Sequence, residues 1–176
     1  MKEFKIIFAG SMGAGKTTAI QSLSDKEVVS TDVENTDTKS HSKLLTTVGI
    51  DYGQILLPPD VKIGLYGTPG QERFELVWRI VTEGALGAII LVDSSSTKAP
   101  EELPYYVEYF HKHKMDNIVV GLTHTDLPGY LSQEQALESL AKKKLQFPVF
   151  EVDSREKNDV LLLVETLIAS IEAQIY

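Results

Sequence analysis

Short apolar runs alternate along the chain with segments of helical spacing. Phe4–Ala9, Leu86–Val92 and Ile118–Leu122 are nearly continuous in apolar residues, and Phe147–Val152 is a weaker run. Such runs suit strands covered on both faces, as in a parallel sheet. Val48–Leu57 and Val61–Tyr66 flank the turn signal Pro58-Pro59-Asp60 and read as a hairpin of long strands. A hairpin brings one antiparallel strand, expected at a sheet edge. Between the strands, Lys16–Ser24 follows a glycine loop and Phe74–Glu83 follows Gly67–Gln71. Ala99–His113 opens on Pro100 and two acids, which suit a first helical turn. Ser132–Lys144 opens with the capping box Ser132-Gln133-Glu134-Gln135 and closes on three lysines that complement the helix dipole. Asn158–Ile175 carries Val160, Val164, Leu167, Ile168, Ile171 and Ile175 on one stripe. The order βαββαβαβαβα predicts an α/β open sheet of six strands, mostly parallel with one antiparallel edge strand, and five helices on both faces. Asp25–Thr46 is polar and aperiodic, so a long functional loop is expected there.

Composition narrows the function. With 176 residues, 43% of them apolar and 24% charged, the chain suits one domain spanning residues 1–176. Seventeen basic residues stand against 25 acidic ones, a net charge of −8, which argues against nucleic-acid or anionic-membrane partners. There is no cysteine, so disulfides, thiolate metal sites, thiol catalysis and Cys lipidation are excluded. No apolar run is long enough to span a bilayer, and Met1–Lys5 leads into neither a signal peptide nor a myristoylation site. A cytoplasmic protein without membrane insertion is expected. The four histidines, His41, His111, His113 and His124, make no metal-ligand spacing, and His111 and His113 suit a helix end.

One motif carries strong chemistry. Gly10-Ser11-Met12-Gly13-Ala14-Gly15-Lys16-Thr17 fits G-x-x-x-x-G-K-[ST] in full, after a strand and opening a helix. Its glycines let backbone N–H groups turn inward toward a phosphate, and the helix N-terminus adds positive potential. Lys16 is a point charge for the β- and γ-phosphates, and the Thr17 hydroxyl is a ligand for Mg²⁺. Thr18 completes the loop's contact set. This predicts a P-loop NTPase sheet.

A second constellation, Gly67-Thr68-Pro69-Gly70-Gln71-Glu72, sits at the C-terminal end of a strand. Gly70 is placed to approach a γ-phosphate through its N–H, and Gln71 to orient a water. Here the chain resembles the Ras-like small GTPases, whose second switch reads Asp-x-x-Gly-Gln-Glu. Gly70, Gln71 and Glu72 match, Thr68 matches less diagnostically, and the family Asp is Gly67. The Thr-Pro-Gly-Gln form resembles bacterial Ras-like GTPases of the gliding-motility (Mgl) type. Thr46–Gly53 resembles the first switch and its following strand, and the resemblance makes Thr47 the threonine that closes on Mg²⁺ and the γ-phosphate.

The base site implied by the resemblance is Thr123-His124-Thr125-Asp126, where the family has Asn-Lys-x-Asp. The Asp126 carboxylate can accept from N1–H and the 2-amino group of guanine, whereas adenine would leave it desolvated without a partner. Thr123 retains one hydroxyl, and the His124 imidazole can stack on the base. Asp153-Ser154-Arg155 resembles the last, weak base motif, with the Ser154 N–H meeting the guanine O6.

Some positions depart from the pattern. Gly67 offers no ligand, so Mg²⁺ is expected to rely on Thr17, Thr47, phosphate oxygens and water, with weaker coupling of metal to nucleotide. Asp93 is a conceivable substitute, or else a strand-end cap. Met12 stands where the family has a glycine near the γ-phosphate, so a bulky side chain there is expected to crowd Gln71 or an incoming arginine. No arginine lies in Asp25–Thr46 to act as a finger in cis, so slow intrinsic turnover is expected. Trp78, with Phe74, Val77 and Val81, is either core or an aromatic surface for a partner. Lys142–Lys144 reads as a solvated helix end.

The resemblance implies a molecular switch that binds GTP and GDP with Mg²⁺ and hydrolyses GTP, with Gln71 and Lys16 as catalytic residues. Effector and activator proteins would bind through Asp25–Asp51 and Gly67–Glu83, a Roadblock-family protein among them. Two rivals stay open at this point. One is a pseudo-GTPase scaffold that holds nucleotide without turnover. The other is a P-loop kinase or ATPase, which the missing second-strand Asp and arginine-rich lid oppose.

Overall fold

The computed structural model describes residues 1–35, 46–71, 75–129 and 131–175, with 31–35 and 46–48 described by backbone alone. Its strands are β1 (Lys2–Ala9), β2 (Val29–Asn35), β3 (Thr46–Leu57), β4 (Val61–Gly67), β5 (Gly87–Asp93), β6 (Ile118–Thr123) and β7 (Val149–Glu151). Its helices are α1 (Lys16–Leu23), α2 (Glu75–Thr82), α3 (Ala99–Lys112), α4 (Gln133–Lys142) and α5 (Lys157–Glu172). The strands form one sheet in the order β2-β3-β4-β1-β5-β6-β7.

The central strand β1 pairs in parallel with both β4 and β5, and Ile6, Ile7, Phe8 and Ala9 are fully buried. Alternation sends these side chains to two cores. Ile6 and Phe8 join Ala19, Ile20 and Leu23 of α1 and Val160, Leu163, Val164 and Leu167 of α5. Ile7 and Ala9 join Val77, Trp78 and Val81 of α2, Leu103, Val107 and Phe110 of α3, and Ala136 and Leu140 of α4. The doubly covered parallel sheet expected from the continuous apolar runs is therefore what forms.

Two expectations about the sheet are corrected. It has seven strands, not six, because Val29–Asn35 lies within the segment read as a loop. This strand carries few apolar residues, and it is held by a backbone ladder running from Val29↔Tyr52 to Asn35↔Thr46. The antiparallel strand β3 is consequently internal, paired with β2 as well as β4, and β2 takes the edge. The rest of that expected loop, residues 36–45, lies outside the described residues, as does His41.

Helix ends follow their chemistry. Ser132 Oγ accepts from the Gln135 N–H at 3.2 Å and Gln135 Oε1 accepts from the Ser132 N–H at 2.9 Å, the reciprocal cap read from the sequence. Lys143 reaches Glu108 of α3 at 2.9 Å, so the lysine run includes a helix–helix contact. His113 Nδ1 lies 2.7 Å from the Tyr109 carbonyl, and its ring stacks on Tyr109. The apolar stripe of α5 stops earlier than expected, since Ile175 lies past the helix and is exposed.

Trp78 is core. It is fully buried, packed by Tyr105, Tyr106, Tyr109 and Phe110 of α3, so it offers no surface to a partner, and Phe74 lies outside the described residues. The exposed apolar side chains of α2 are Leu76 and Ile80 instead. Among the described residues no helix is long and apolar enough to cross a membrane.

Candidate functional site

The loop from Gly10 to Gly15 joins β1 to α1 at the C-terminal edge of the sheet. Gly10, Gly13 and Gly15 have φ of 139°, 83° and 100°. At Gly10 glycine is obligatory on space as well, because a Cβ there would sit 2.1 Å from the Leu91 carbonyl oxygen. Lys16 folds back into the loop, its Nζ donating to the carbonyls of Gly10 and Ser11 at 2.7 Å each. Burial pushes the Lys16 ammonium down to about 8, against the raising pull of Asp51 and then Glu102. The Ser11 hydroxyl donates to Glu102 of α3 at 2.9 Å. The first amides of α1 have no intrahelical acceptors, so the loop presents N–H groups, a helix dipole and one ammonium to an anion.

Beside Lys16, the Thr17 hydroxyl donates to the carboxylate of Asp51 on β3, whose other oxygen accepts from the Ser30 hydroxyl. Sequence reading did not single out Asp51. The register does: Asp51 lies directly opposite Gly67 on β4. Two hydroxyls and a carboxylate meet here, and that donor chemistry fits a hard cation such as Mg²⁺. Among the described residues there is no cluster of three or more His, Asp or Glu able to hold a metal alone, so phosphate oxygens would have to complete any shell. Asp93, the substitute weighed earlier, is corrected. Its Oδ1 accepts from the backbone N–H and hydroxyl of Ser95 at 2.9 and 2.6 Å, a strand-end cap, and lies 3.4 Å from His124 at the other end of the site. Thr47 sits in β3 opposite Glu34, and its side chain lies outside the described residues.

The second motif is seated on the phosphate loop. A Cβ on Gly70 would meet the Met12 nitrogen at 2.4 Å and the Ser11 carbonyl carbon at 2.7 Å, so only glycine permits this approach. The Gln71 amide lies 4.0 Å from the Met12 sulfur, the proximity expected of a bulky residue there. Hydrogen bonds fix the segment from behind: the Thr68 N–H and hydroxyl to the Phe8 carbonyl at 2.9 and 3.3 Å, the Trp78 indole to the Pro69 carbonyl at 2.7 Å, and the Tyr106 hydroxyl to the Gly70 carbonyl at 3.3 Å. Gln71 borders a cleft of about 680 Å³ that Glu101 and Glu102 also line. Glu72 and Phe74 lie outside the described residues.

At the opposite end, Thr123, His124, Asp126 and Asp153–Arg155 converge. The Thr123 hydroxyl is buried and donates to the Ala14 carbonyl at 2.8 Å, so it braces the phosphate loop from this end. His124 adopts a left-handed backbone, φ 57°, with Nδ1 3.0 Å from the Thr123 hydroxyl. Arg155 makes its closest ion pair with Asp153 at 2.6 Å and reaches the exposed Asp126 at 3.4 Å. Hydrogen bonds from the Arg155 side chain and then its backbone hold the Asp153 carboxyl down to about 2. Ser154 Oγ is buried without a partner among the described residues, where a Cβ on Gly15 would meet it at 2.4 Å.

The Ras family profile matches residues 5–173. The Ras-related protein RabC of Dictyostelium discoideum is 26% identical over 97% of this chain and 84% of its own length. The Ras-related protein Rab-19 of Homo sapiens is 26% identical, covering 98% of this chain and 79% of its own. An uncharacterized protein of Methanocaldococcus jannaschii is 37% identical over 57% of this chain and 59% of its own.

Proposed function

The chain belongs to the Ras family, and from that premise we propose a nucleotide-dependent switch that binds GTP and GDP with Mg²⁺ and hydrolyses GTP slowly. The observation that carries the reading is the seat of Gly70 on Ser11 and Met12. Whatever occupies the phosphate loop must push against or engage the second motif, so occupancy of one is felt by the other. That mechanical link is what a switch needs.

The chemistry is attack of water on the γ-phosphorus of GTP. The bond to the β,γ-bridging oxygen breaks, and GDP and inorganic phosphate leave. Lys16 exchanges the carbonyls of Gly10 and Ser11 for phosphate oxygens and carries charge there. The amides of Gly13, Ala14, Gly15, Lys16, Thr17 and Thr18 take the remaining phosphate oxygens, and Gly70 contributes its N–H. Gln71 orients the water. Thr17 and Thr47 would hold Mg²⁺, which supplies charge neutralisation at the phosphates. Asp126 reads the guanine edge, His124 flanks the ring, Ser154 offers its N–H, and Arg155 with Asp153 walls the pocket. Residues 1–176 work as one domain. Effectors and activators dock on residues 25–51 and 67–83, where Leu76 and Ile80 are exposed.

The Thr68-Pro69-Gly70-Gln71 form supports a place near the bacterial gliding-motility type, a cytoplasmic setting and a Roadblock-family partner. A scaffold that holds nucleotide without turnover is the second reading, favoured by the Gln71 amide resting on the Met12 thioether rather than on an oxygen.

Denaturing the purified protein and separating released nucleotides tests the base assignment. Guanine nucleotides are expected, with GTP and GDP binding at least ~10-fold tighter than ATP and ADP, and Asp126→Asn moving preference toward xanthine nucleotides. Equal affinity for adenine nucleotides would end the reading.

A further inference from the structure

We propose that Arg155 is a specificity-positioning residue: its guanidinium bridges Asp153 to Asp126 and so keeps the Asp126 carboxylate turned to the edge of guanine that carries N1–H and the 2-amino group. The inference rests on the nucleotide-binding reading above and concerns what keeps its base reader aimed.

Asp153 and Arg155 form one rigid unit. The Asp153 N–H donates to the carboxylate of Asp159 in the first turn of α5 at 2.8 Å, which fixes the backbone just past β7. Asp153 Oδ1 accepts from the Arg155 backbone N–H and from Nε, both at 2.9 Å, and Oδ2 accepts from Nη2 at 2.6 Å. Paired bonds from Nε and Nη2 set the plane of the guanidinium as well as its position. The same Nη2 reaches Asp126 Oδ2 at 3.4 Å. One nitrogen thus spans two carboxylates close enough to repel.

Those two acids need a cation between them. Arg155 is the ion-pair partner of both, and no other Lys or Arg pairs with either among the described residues. His124 lies 3.4 Å from Asp93 and acts on Asp153 less than Arg155 does. Both acids raise the Arg155 guanidinium above its usual range, Asp153 first through hydrogen bonds and charge, then Asp126. Asp126 sits in the turn after β6, where the Leu127 N–H donates to the His124 carbonyl at 3.1 Å, and Arg155 is its one hydrogen-bond partner among the described residues. Without that partner, repulsion from Asp153 would turn the exposed side chain away into solvent. A bound base displaces water here, so the two negative charges would repel more strongly in the complex than in the empty site.

Guanine meets the carboxylate with two donors. Hypoxanthine keeps N1–H and lacks the 2-amino group, so preference for GDP over IDP reads how well Asp126 is aimed. A defect of folding alone weakens both nucleotides alike.

The test measures GDP, IDP and ADP affinity by calorimetry on wild type, on Arg155→Met, and on Arg155→Met combined with Asp153→Asn. Methionine keeps the apolar stem at an exposed position and removes the charge. Asparagine keeps an acceptor for the backbone N–H of residue 155 and removes the second negative charge. Wild type is expected to prefer GDP to IDP. Arg155→Met should weaken GDP about 10-fold, the range of a lost bond to a charged group, and cut the preference for GDP over IDP at least ~3-fold. The double variant should recover the preference, because no charge is left to turn Asp126 away. A wild-type preference in Arg155→Met, or a lost preference that Asp153→Asn fails to recover, would overturn this proposal while leaving the nucleotide reading intact. Wild type binding ADP as tightly as GDP would overturn both.

Discussion

The hydroxyl of Thr123 on β6 donates to the carbonyl of Ala14 in the phosphate loop at 2.8 Å, across 109 residues of sequence. This bond ties the base end of the site to the phosphate end. Thr123→Val keeps the shape and removes the donor, leaving the Ala14 carbonyl buried without it. The expected loss is about 1–3 kcal/mol in urea unfolding, with weaker GDP binding because the loop is no longer braced. Thr123→Ser should behave as wild type in both measurements.

With the Lys16 ammonium lowered by burial, nucleotide binding is expected to take up protons. Its folded value is about 8 against 10.5 ordinarily, so between those values the unfolded chain binds more protons. Stability of the nucleotide-free protein from this group therefore rises with pH across that window. Phosphate beside Lys16 reverses the shift. Calorimetry of GDP binding in two buffers of different ionisation enthalpy should show uptake of about half a proton at pH 8 and about a tenth at pH 7 from this group.

The Gln71 amide lies 4.0 Å from the Met12 sulfur, and the two are proposed to share the hydrolytic site. Single-turnover phosphate release should be well below one per minute in wild type, as is typical of switches without an activator. An activator is expected to raise it by about 10³–10⁵-fold, and the cleft beside Gln71 offers Glu101 and Glu102, alongside Lys98, to an incoming arginine. Gln71→Leu should abolish the stimulated rate and leave GTP affinity within a few fold, since the amide acts on the transition state. Met12→Gly should leave binding unchanged and ease stimulation. A Gln71→Leu protein as fast as wild type with and without activator would favour the scaffold.

The Asp153–Arg155 pair is solvent-facing, and its readout is titration rather than stability. Asp153 is held at about 2, so its favourable pairing is present at neutral pH and lost as pH falls through that value. In Arg155→Ala the carboxyl should rise toward the usual carboxylate range but stay below it, because the backbone N–H of residue 155 still donates to it, as measured by ¹³C NMR of the side-chain carbon. An unmoved Asp153 would show that the arginine is not what holds it.

The apolar runs and the glycine loop were legible because each is local: burial on both faces writes itself as a continuous run, and a phosphate loop needs its residues in order. What escaped reading was pairwise. The strand Val29–Asn35 is held by backbone bonds to β3, and its alternation of Val29, Thr31 and Val33 is a weak signal beside so many polar residues. Asp51 means little in the sequence, because its relevance depends on a ladder that sets it opposite Gly67. Trp78 could face either way on an amphipathic helix until the aromatic residues of α3 were placed around it.

Trp78 is the sole tryptophan of the chain, and its indole N–H rests on the Pro69 carbonyl, one residue before the glycine that touches the phosphate loop. Indole emission responds to hydrogen bonding and to nearby rings. Any rearrangement of Gly70 pulls on that bond before it reaches the surface. The molecule thus carries a built-in optical gauge beside the segment proposed to meet the nucleotide, so nucleotide addition to unlabelled protein is expected to change its emission in real time.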